Sequence, residues 1–339
     1  MRVLVVGGAG YIGSHVCRAL AARGDEPIVF DNFCSGHRHA VKWGELVEGD
    51  IRNPADIARA LSVHSPDAVM HFAANIEVGS GETQPLDFWD NNVGGVINLL
   101  KEMQAANCRT LVFSSTCATY GIPETVPMTE DEPQAPINVY GRTKLAVETM
   151  LSDLARCGHI DYAALRYFNA CGASPDGDIG EEHDPETHLI PNALKAAAGL
   201  GGKMKLFGTD YPTRDGTCIR DYIHVVDLAD VHLRALDHLI AGRGSFACNV
   251  GTGDGFTVRE VLDAIARVTG RPVPFEEHPR RAGDPPVLSA NTARAKSLLG
   301  FEPQHSSIDE IVADAWRFHQ KVWAAELAEL ANQEQMEIA

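Results

Sequence analysis

Residues 2–13 read RVLVVGGAGYIG, and this stretch decides the fold. RVLVV is a β-branched apolar run of strand type, and IGSHVCRALAARG, residues 12–24, follows with helical periodicity. Between them Gly7, Gly10 and Gly13 stand as G-x-x-G-x-x-G. A missing Cβ at each position permits a tight turn, close backbone approach to a ligand and close helix packing, and the helix N-terminus then offers free N–H groups to a pyrophosphate. Asp31 closes the next strand, PIVFD, two dozen residues on, where a dinucleotide fold puts the carboxylate that bonds the adenosine ribose. A carboxylate there repels a 2′-phosphate and so favours NAD over NADP. The competing reading is an aspartate that caps the turn DNFCSG. Asp50 and Ile51, after the third strand, either flank the adenine or begin an Asp-initiated turn.

Outward from this unit, strand and helix patterns keep alternating: ELVEGD, NPADIARALSVH, DAVMHFAA, the long amphipathic PLDFWDNNVGGVINLLKEMQAA, TLVFSST, VYGRTKLAVETMLSDLARCG and DYAALRYFN. Such alternation predicts an α/β protein with a Rossmann-type doubly wound parallel sheet over residues 1–169. After Asn169 the texture shifts to Gly-, Pro- and Asp-rich loops such as GASPDGDIGEEHDPETH. Residues 170–325 are read as a smaller, interleaved C-terminal α/β substrate domain, with the part near 219–240 rejoining the sheet domain. Residues 326–339 form an acidic, helix-prone tail, read as a solvated end.

Composition narrows the partners. The chain has 339 residues, 45% hydrophobic, with 29 basic against 46 acidic side chains, a formal charge of −17. That surplus repels phosphate backbones and anionic lipid, so no nucleic-acid or membrane partner is expected, and an anionic ligand needs local arginines. No run is long and apolar enough to span a membrane, and the start does not read as a signal peptide, so a cytoplasmic location is expected. The eight cysteines make no C-x-x-C pair and none of the Cys/His spacings that hold zinc; reduced thiols and no metal are expected.

Chemistry gathers around residues 114–144. Tyr140 and Lys144 are spaced i, i+4 on a helix, so the phenol and ammonium share a face. Ser114, Ser115 and Thr116 end a strand, at the carboxyl edge where open α/β sheets bind ligands. A phenol titrates near 10, and lowering it by about 3 pH units takes about 4 kcal/mol. Lys144 and the positive ring of oxidised NAD together supply that, which makes the tyrosine a base only when the oxidised cofactor is present.

GGAGYIGSH, HFAA, NNVGG, VFSSTCATYG, YGRTKL, RYFNACGA, GTDYP, DGTCIRDYIHVVDLAD and PRRAGDPP together resemble the UDP-galactose 4-epimerases of the extended short-chain dehydrogenase/reductase superfamily, over nearly the whole chain. The resemblance implies NAD retained as a prosthetic group and a 4-keto sugar that turns over before hydride returns. It implies Thr116, Tyr140 and Lys144 as the catalytic trio, the threonine standing where relatives often carry serine. Cofactor contacts are implied at Tyr11, Ile12, Asp31, Asn32, Asp50, Ile51, Phe72, Ala73, Ala74, Asn91 and Phe168, beside the three glycines. UDP-sugar contacts are implied at Asn169, Leu189, Phe207 against uracil, Arg220, Arg281 and Asp284, and a homodimer through the segments around 88–106 and 140–157.

Three positions depart from the pattern. Ile76 stands where many relatives place a lysine near the cofactor phosphates, which implies weaker retention. His188 replaces an asparagine seen beside the sugar in some relatives. Leu288 lies where relatives vary from tyrosine to cysteine, and its bulk is expected to disfavour an N-acetyl group. Rival readings are a 4-epimerase for UDP-pentoses or UDP-N-acetylhexosamines, a dehydratase and a non-catalytic NAD-binding protein. A dehydratase would place an Asp-Glu pair after Thr116, where this chain has Cys117 and Ala118. A non-catalytic relative would lack Tyr140 or Lys144.

Overall fold

Alternate residues of a strand point to opposite faces, and β1 (Arg2–Val6) buries both. In the computed structural model, which describes residues 1–281 and 283–338, Val3 and Val5 share a core with Val16 and Leu20 of helix Tyr11–Arg23 and with Leu228 and Leu236 of helix Val225–Ile240. Leu4 and Val6 face the other way, into a core with Leu99 of helix Gly95–Ala105 and Val147 of helix Val139–Arg156. The remaining sheet strands are β2 (Glu26–Asp31), β3 (Glu45–Glu48), β4 (Ala68–His71), β5 (Thr110–Thr116), β6 (Asp161–Tyr167) and Phe246–Val250.

All pairings in this sheet are parallel, and Phe246–Val250 is one edge strand, followed by β6, β5, β4, β1, β2 and β3. Because β1 lies between β2 and β4, successive connections depart to opposite sides and leave a crevice beyond the carboxyl ends of β1 and β4. The glycine turn after β1 and the Phe72–Ala74 turn after β4 both open into it.

Beyond β6 the chain leaves the sheet and later returns. Tyr222–His224 does not join the large sheet; it pairs with Asn169–Cys171 in a separate two-stranded ribbon. The helix Val225–Ile240 then packs on the sheet, and Phe246–Val250, a strand the sequence pattern left unread, pairs with β6. The rest builds a second core from Leu194, Leu206, Val261, Ile265, Ile311 and Val312. Its small sheets are Met204–Phe207 with Phe275–His278, and Ile219–Arg220 between Phe256–Thr257 and Val287–Leu288. The tail is helical over Ala324–Ile338; residue 339 lies outside the described residues.

Candidate active site

The glycine turn is packed too closely against its own backbone neighbours to admit a Cβ. Gly7 has φ 80°, a left-handed conformation that suits glycine, and a Cβ there would lie 2.6 Å from the Ala73 nitrogen. A Cβ on Gly13 would lie 2.1 Å from the Gly7 carbonyl oxygen. Beside the turn, the buried Asp31 carboxylate accepts from the Ala9 N–H at 2.9 Å and the Phe33 N–H at 2.8 Å. Burial raises its pKa, those N–H groups opposing. Asp31 therefore caps the DNFCSG turn and also lines the cavity beside it. Gly10, Asn32, Ile51, Ala73 and Asn91 line the same small cavity of about 80 Å³. Asp50 does not; it accepts from Asn32 at 2.9 Å and from the Arg52 N–H at 2.8 Å, and the Arg52 guanidinium holds its carboxyl well below the usual range. It starts a turn and braces Asn32.

Phe72 and Ala74 carry this cavity into a second of about 240 Å³, walled by Tyr11, Ile12, Gly13 and Phe168 and by the catalytic candidates Thr116, Tyr140 and Lys144. Thr116 ends β5, and its hydroxyl oxygen accepts from the Ala118 N–H at 3.1 Å. That leaves the hydroxyl proton available to an oxygen in the cleft. The helix bearing Tyr140 starts at Asn138, whose side chain accepts from the Gly141 N–H at 2.7 Å. A Cβ on Gly141 would sit 2.4 Å from the Ala118 carbonyl oxygen, so the glycine lets the helix start press against the Thr116 turn.

One helical turn on, Lys144 is 2% exposed, donates to the Ser114 carbonyl at 2.8 Å and lies 4.9 Å from the Phe113 ring centroid. Burial pulls its ammonium down to about 7, with Glu148 opposing. Burial pushes the Tyr140 phenol up, with Thr116 opposing. With Lys144 alone beside it the phenol is thus a stronger hold on its proton than free tyrosine, and the lowering expected from two charges needs the second one.

A buried polar frame that the sequence reading missed holds these groups. Glu148, one turn beyond Lys144, accepts from Arg166 Nε at 3.0 Å and from the Ser115 hydroxyl; Arg166 Nη1 donates to the Tyr120 hydroxyl at 2.8 Å, which donates to Asn249 at 2.7 Å. Asn92 accepts from the Asn75 N–H at 2.7 Å and donates to Thr143 at 3.1 Å, tying the loop after β4 to the Tyr140 helix. It lies in a π-helical turn, Asp90–Gly94. Asp221, fully buried, accepts from the N–H groups of Thr252, Gly253 and Ala290. It fixes the backbone next to Arg220.

Asn169 and His188 carry the cleft into its largest cavity, about 810 Å³, walled by Leu189, Phe207, Arg220, Arg281 and Asp284. Arg281 lies 4.3 Å over the Phe207 ring, and Arg220 donates directly to Asp284. Residues read as contacts to different parts of a ligand are thus one another's partners. Burial works against charge on His188, yet Glu181 and Glu186 raise it to about 10. Leu288 lies on the short strand opposite Arg220 and lines none of the three cavities. Ile76 does line the middle cavity and is 42% exposed. All eight cysteines are free thiols.

Residues 3–251 match the model of the NAD dependent epimerase/dehydratase family. The UDP-glucose 4-epimerase of Rhizobium leguminosarum bv. trifolii is 54% identical over 319 residues, covering 94% of this chain and 97% of its own. Among solved structures, UDP-glucose 4-epimerase from Brucella ovis in complex with NAD superposes with TM-score 0.92 at 50% identity, over 94% of this chain and 98% of that one. The Bifidobacterium longum enzyme in complex with NAD⁺ and UDP gives TM-score 0.89 at 34% identity, over 95% and 98%.

Proposed function

Because the chain belongs to the NAD dependent epimerase/dehydratase family, we propose that it interconverts UDP-galactose and UDP-glucose by inverting C4 of the sugar, with NAD as its cofactor. The observation that carries this reading is the order of groups along one cleft: glycine cradle and Asp31, then Thr116, Tyr140 and Lys144, then Phe207 with Arg220 and Arg281. The cradle suits a dinucleotide, since the glycine at position 7 lets the turn close tightly against the Ala73 backbone and Asp31 presents a carboxylate rather than a cation. When bound, NAD supplies a reversible hydride acceptor, so that a 4-keto sugar forms and is reduced again.

The chain's own groups do the rest. Tyr140 takes and returns the proton of the C4 hydroxyl, and Thr116, whose acceptor position is occupied by Ala118, donates to the same oxygen. Lys144, held by the Ser114 carbonyl, sets the charge beneath them and would hold the nicotinamide ribose. Arg220 and Arg281 neutralise the diphosphate with forked hydrogen bonds, the local positive charge that a protein of net charge −17 needs for an anionic substrate. A diphosphate at Arg220 competes with Asp284 and frees that carboxylate for the ribose diol of the uridine.

The reading extends to a homodimer through the helical segments around 88–106 and 140–157. Val96, Leu99 and Leu100 are buried in the subunit's own core and Met150 packs against it, so the contact falls to outward residues such as Leu86, 80% exposed, and Trp89. Light scattering that gives a monomer at micromolar concentration rejects this. A cytoplasmic location fits the free thiols. No helix among the described residues is long and apolar enough to cross a membrane. The test of function is to incubate purified protein with UDP-galactose, first without and then with added NAD⁺, and to analyse the sugar. UDP-glucose is expected in both; no C4 inversion even with NAD⁺ supplied overturns the reading.

A further inference from the structure

Four potential metal donors stand together where the middle cavity meets the sugar cavity. Residues 181–188 place Glu181, His183, Glu186 and His188 so that one donor atom of each lies within 4.8 Å of the others. His183 Nδ1 is 3.6 Å from Glu181 Oε1 and 3.5 Å from Glu186 Oε2. His188 Nδ1 is 2.9 Å from Glu181 Oε1 and 3.1 Å from Glu186 Oε1. Nitrogen and oxygen ligands bind zinc at about 2.0–2.2 Å, so neighbouring donors in a tetrahedral site stand about 3.3 Å apart. The two separations from Glu181 Oε1, 3.6 and 2.9 Å, bracket that value, and Glu186 meets the two imidazoles through different carboxylate oxygens. Two carboxylates match the charge of a dication once the metal has displaced to solvent the proton that Glu181 and Glu186 hold on His188. Glu181 is 4% exposed, and His183 Nδ1 is a buried nitrogen with no hydrogen-bond partner. Those are features of a donor set shaped around something, rather than of a solvated acidic loop.

We propose that Glu181, His183, Glu186 and His188 form a tetrahedral site for a transition-metal dication of the zinc class, and that a bound ion obstructs the sugar's approach to Tyr140 at the junction of the middle and sugar cavities. Glu181 and His188 line both cavities. A metal held between them therefore stands at the passage through which the sugar reaches Tyr140. Imidazole with carboxylate favours zinc over magnesium or calcium, which prefer all-oxygen shells. The neighbouring His37, His39 and Glu182 offer only three donors, with His39 Nε2 3.2 Å from Glu182 Oε2, and are partly exposed. They are the competing location.

The experiment uses the full-length, cofactor-containing protein with the exposed Cys34 and Cys157 changed to Ser, titrated with Zn²⁺ in a calorimeter. One equivalent is expected to bind, and His183→Gln is expected to weaken it at least tenfold while activity in the absence of metal stays within twofold. Co²⁺ in the unsubstituted site should give the intense visible bands of four-coordinate cobalt, a readout that does not depend on the variant folding. Zn²⁺ should inhibit the unsubstituted enzyme and a chelator should restore it; that arm rests on the epimerase reading, whereas the binding arms do not. Absence of stoichiometric binding, a six-coordinate cobalt spectrum, or affinity lost in His39→Gln but kept in His183→Gln overturns the site.

Discussion

Changing Lys144 to Met should stabilise the cofactor-free protein while abolishing its turnover. The side chain is 2% exposed and its ammonium is pulled from 10.5 to about 7. At 1.36 kcal/mol per pH unit, holding the charged form there costs about 4 kcal/mol at pH 7 and about 2 kcal/mol at pH 9. The sign follows from proton counting. Between about 7 and 10.5 the unfolded chain carries a proton that the folded one has released, so this residue's penalty is complete below pH 7 and disappears as pH rises to 10.5. Methionine fills nearly the same volume without charge; its cost is the lost bond to the Ser114 carbonyl and imperfect packing, together about 2 kcal/mol.

The balance is a gain of about 2 kcal/mol at pH 7 that vanishes near pH 9, or roughly 3 °C of melting temperature for a chain of this length. Thermal melts of Lys144→Met and parent, stripped of NAD, at pH 6, 7, 8 and 9 measure it, alongside epimerase rates expected to fall at least a hundredfold. A variant that melts lower than the parent at pH 7, or a difference that does not shrink with pH, refutes the idea that a destabilising buried charge is kept for catalysis.

Tyr140→Phe removes only the ionisable oxygen, so kcat should drop about a hundredfold or more while UDP affinity, read by calorimetry, changes less than about threefold. Equal losses in both would make the tyrosine structural. Gly13→Ala puts a Cβ 2.1 Å from the Gly7 carbonyl and should strip NAD from the purified protein, seen as the missing nucleotide absorbance in a denatured sample; full retention would mean the cradle does not hold the cofactor. Glu148→Gln leaves the buried Arg166 without its counter-charge and should cost about 3–5 kcal/mol, whereas Glu148→Leu with Arg166→Met should recover most of that; equal melting temperatures for Glu148→Gln and parent would show the pair to be dispensable.

What was legible in the sequence is what repeats along the chain. β1 buries both faces and therefore reads as an unbroken apolar run, and Tyr140 and Lys144 share a face because four residues return a helix to the same side. Phe246–Val250 escaped because FACNV carries no alternation, and its place at the sheet edge is set by β6, some eighty residues earlier. Asp50 shows the limit of spacing: counting residues from the glycine turn gives its place in the chain but not the bonds its carboxylate makes to Arg52, two residues on. Leu288 shows the same limit from the other direction, since a residue can match a family position while its side chain lines no cavity.

The deeper gap concerns buried charge. Glu148 follows Lys144 by one helical turn, and the sequence reading gave it no role. In the fold its carboxylate meets Arg166 from the adjacent strand, both within the sheet's flank. Periodicity tells which face of a helix is covered but not which of its polar residues has a partner on another element. The groups that tune an active site find their charge partners far away in sequence, as the partly buried Arg220 and Asp284 also do. Catalytic candidates announce themselves by local spacing, whereas the electrostatic setting that gives them their proton affinities is a property of the assembled core.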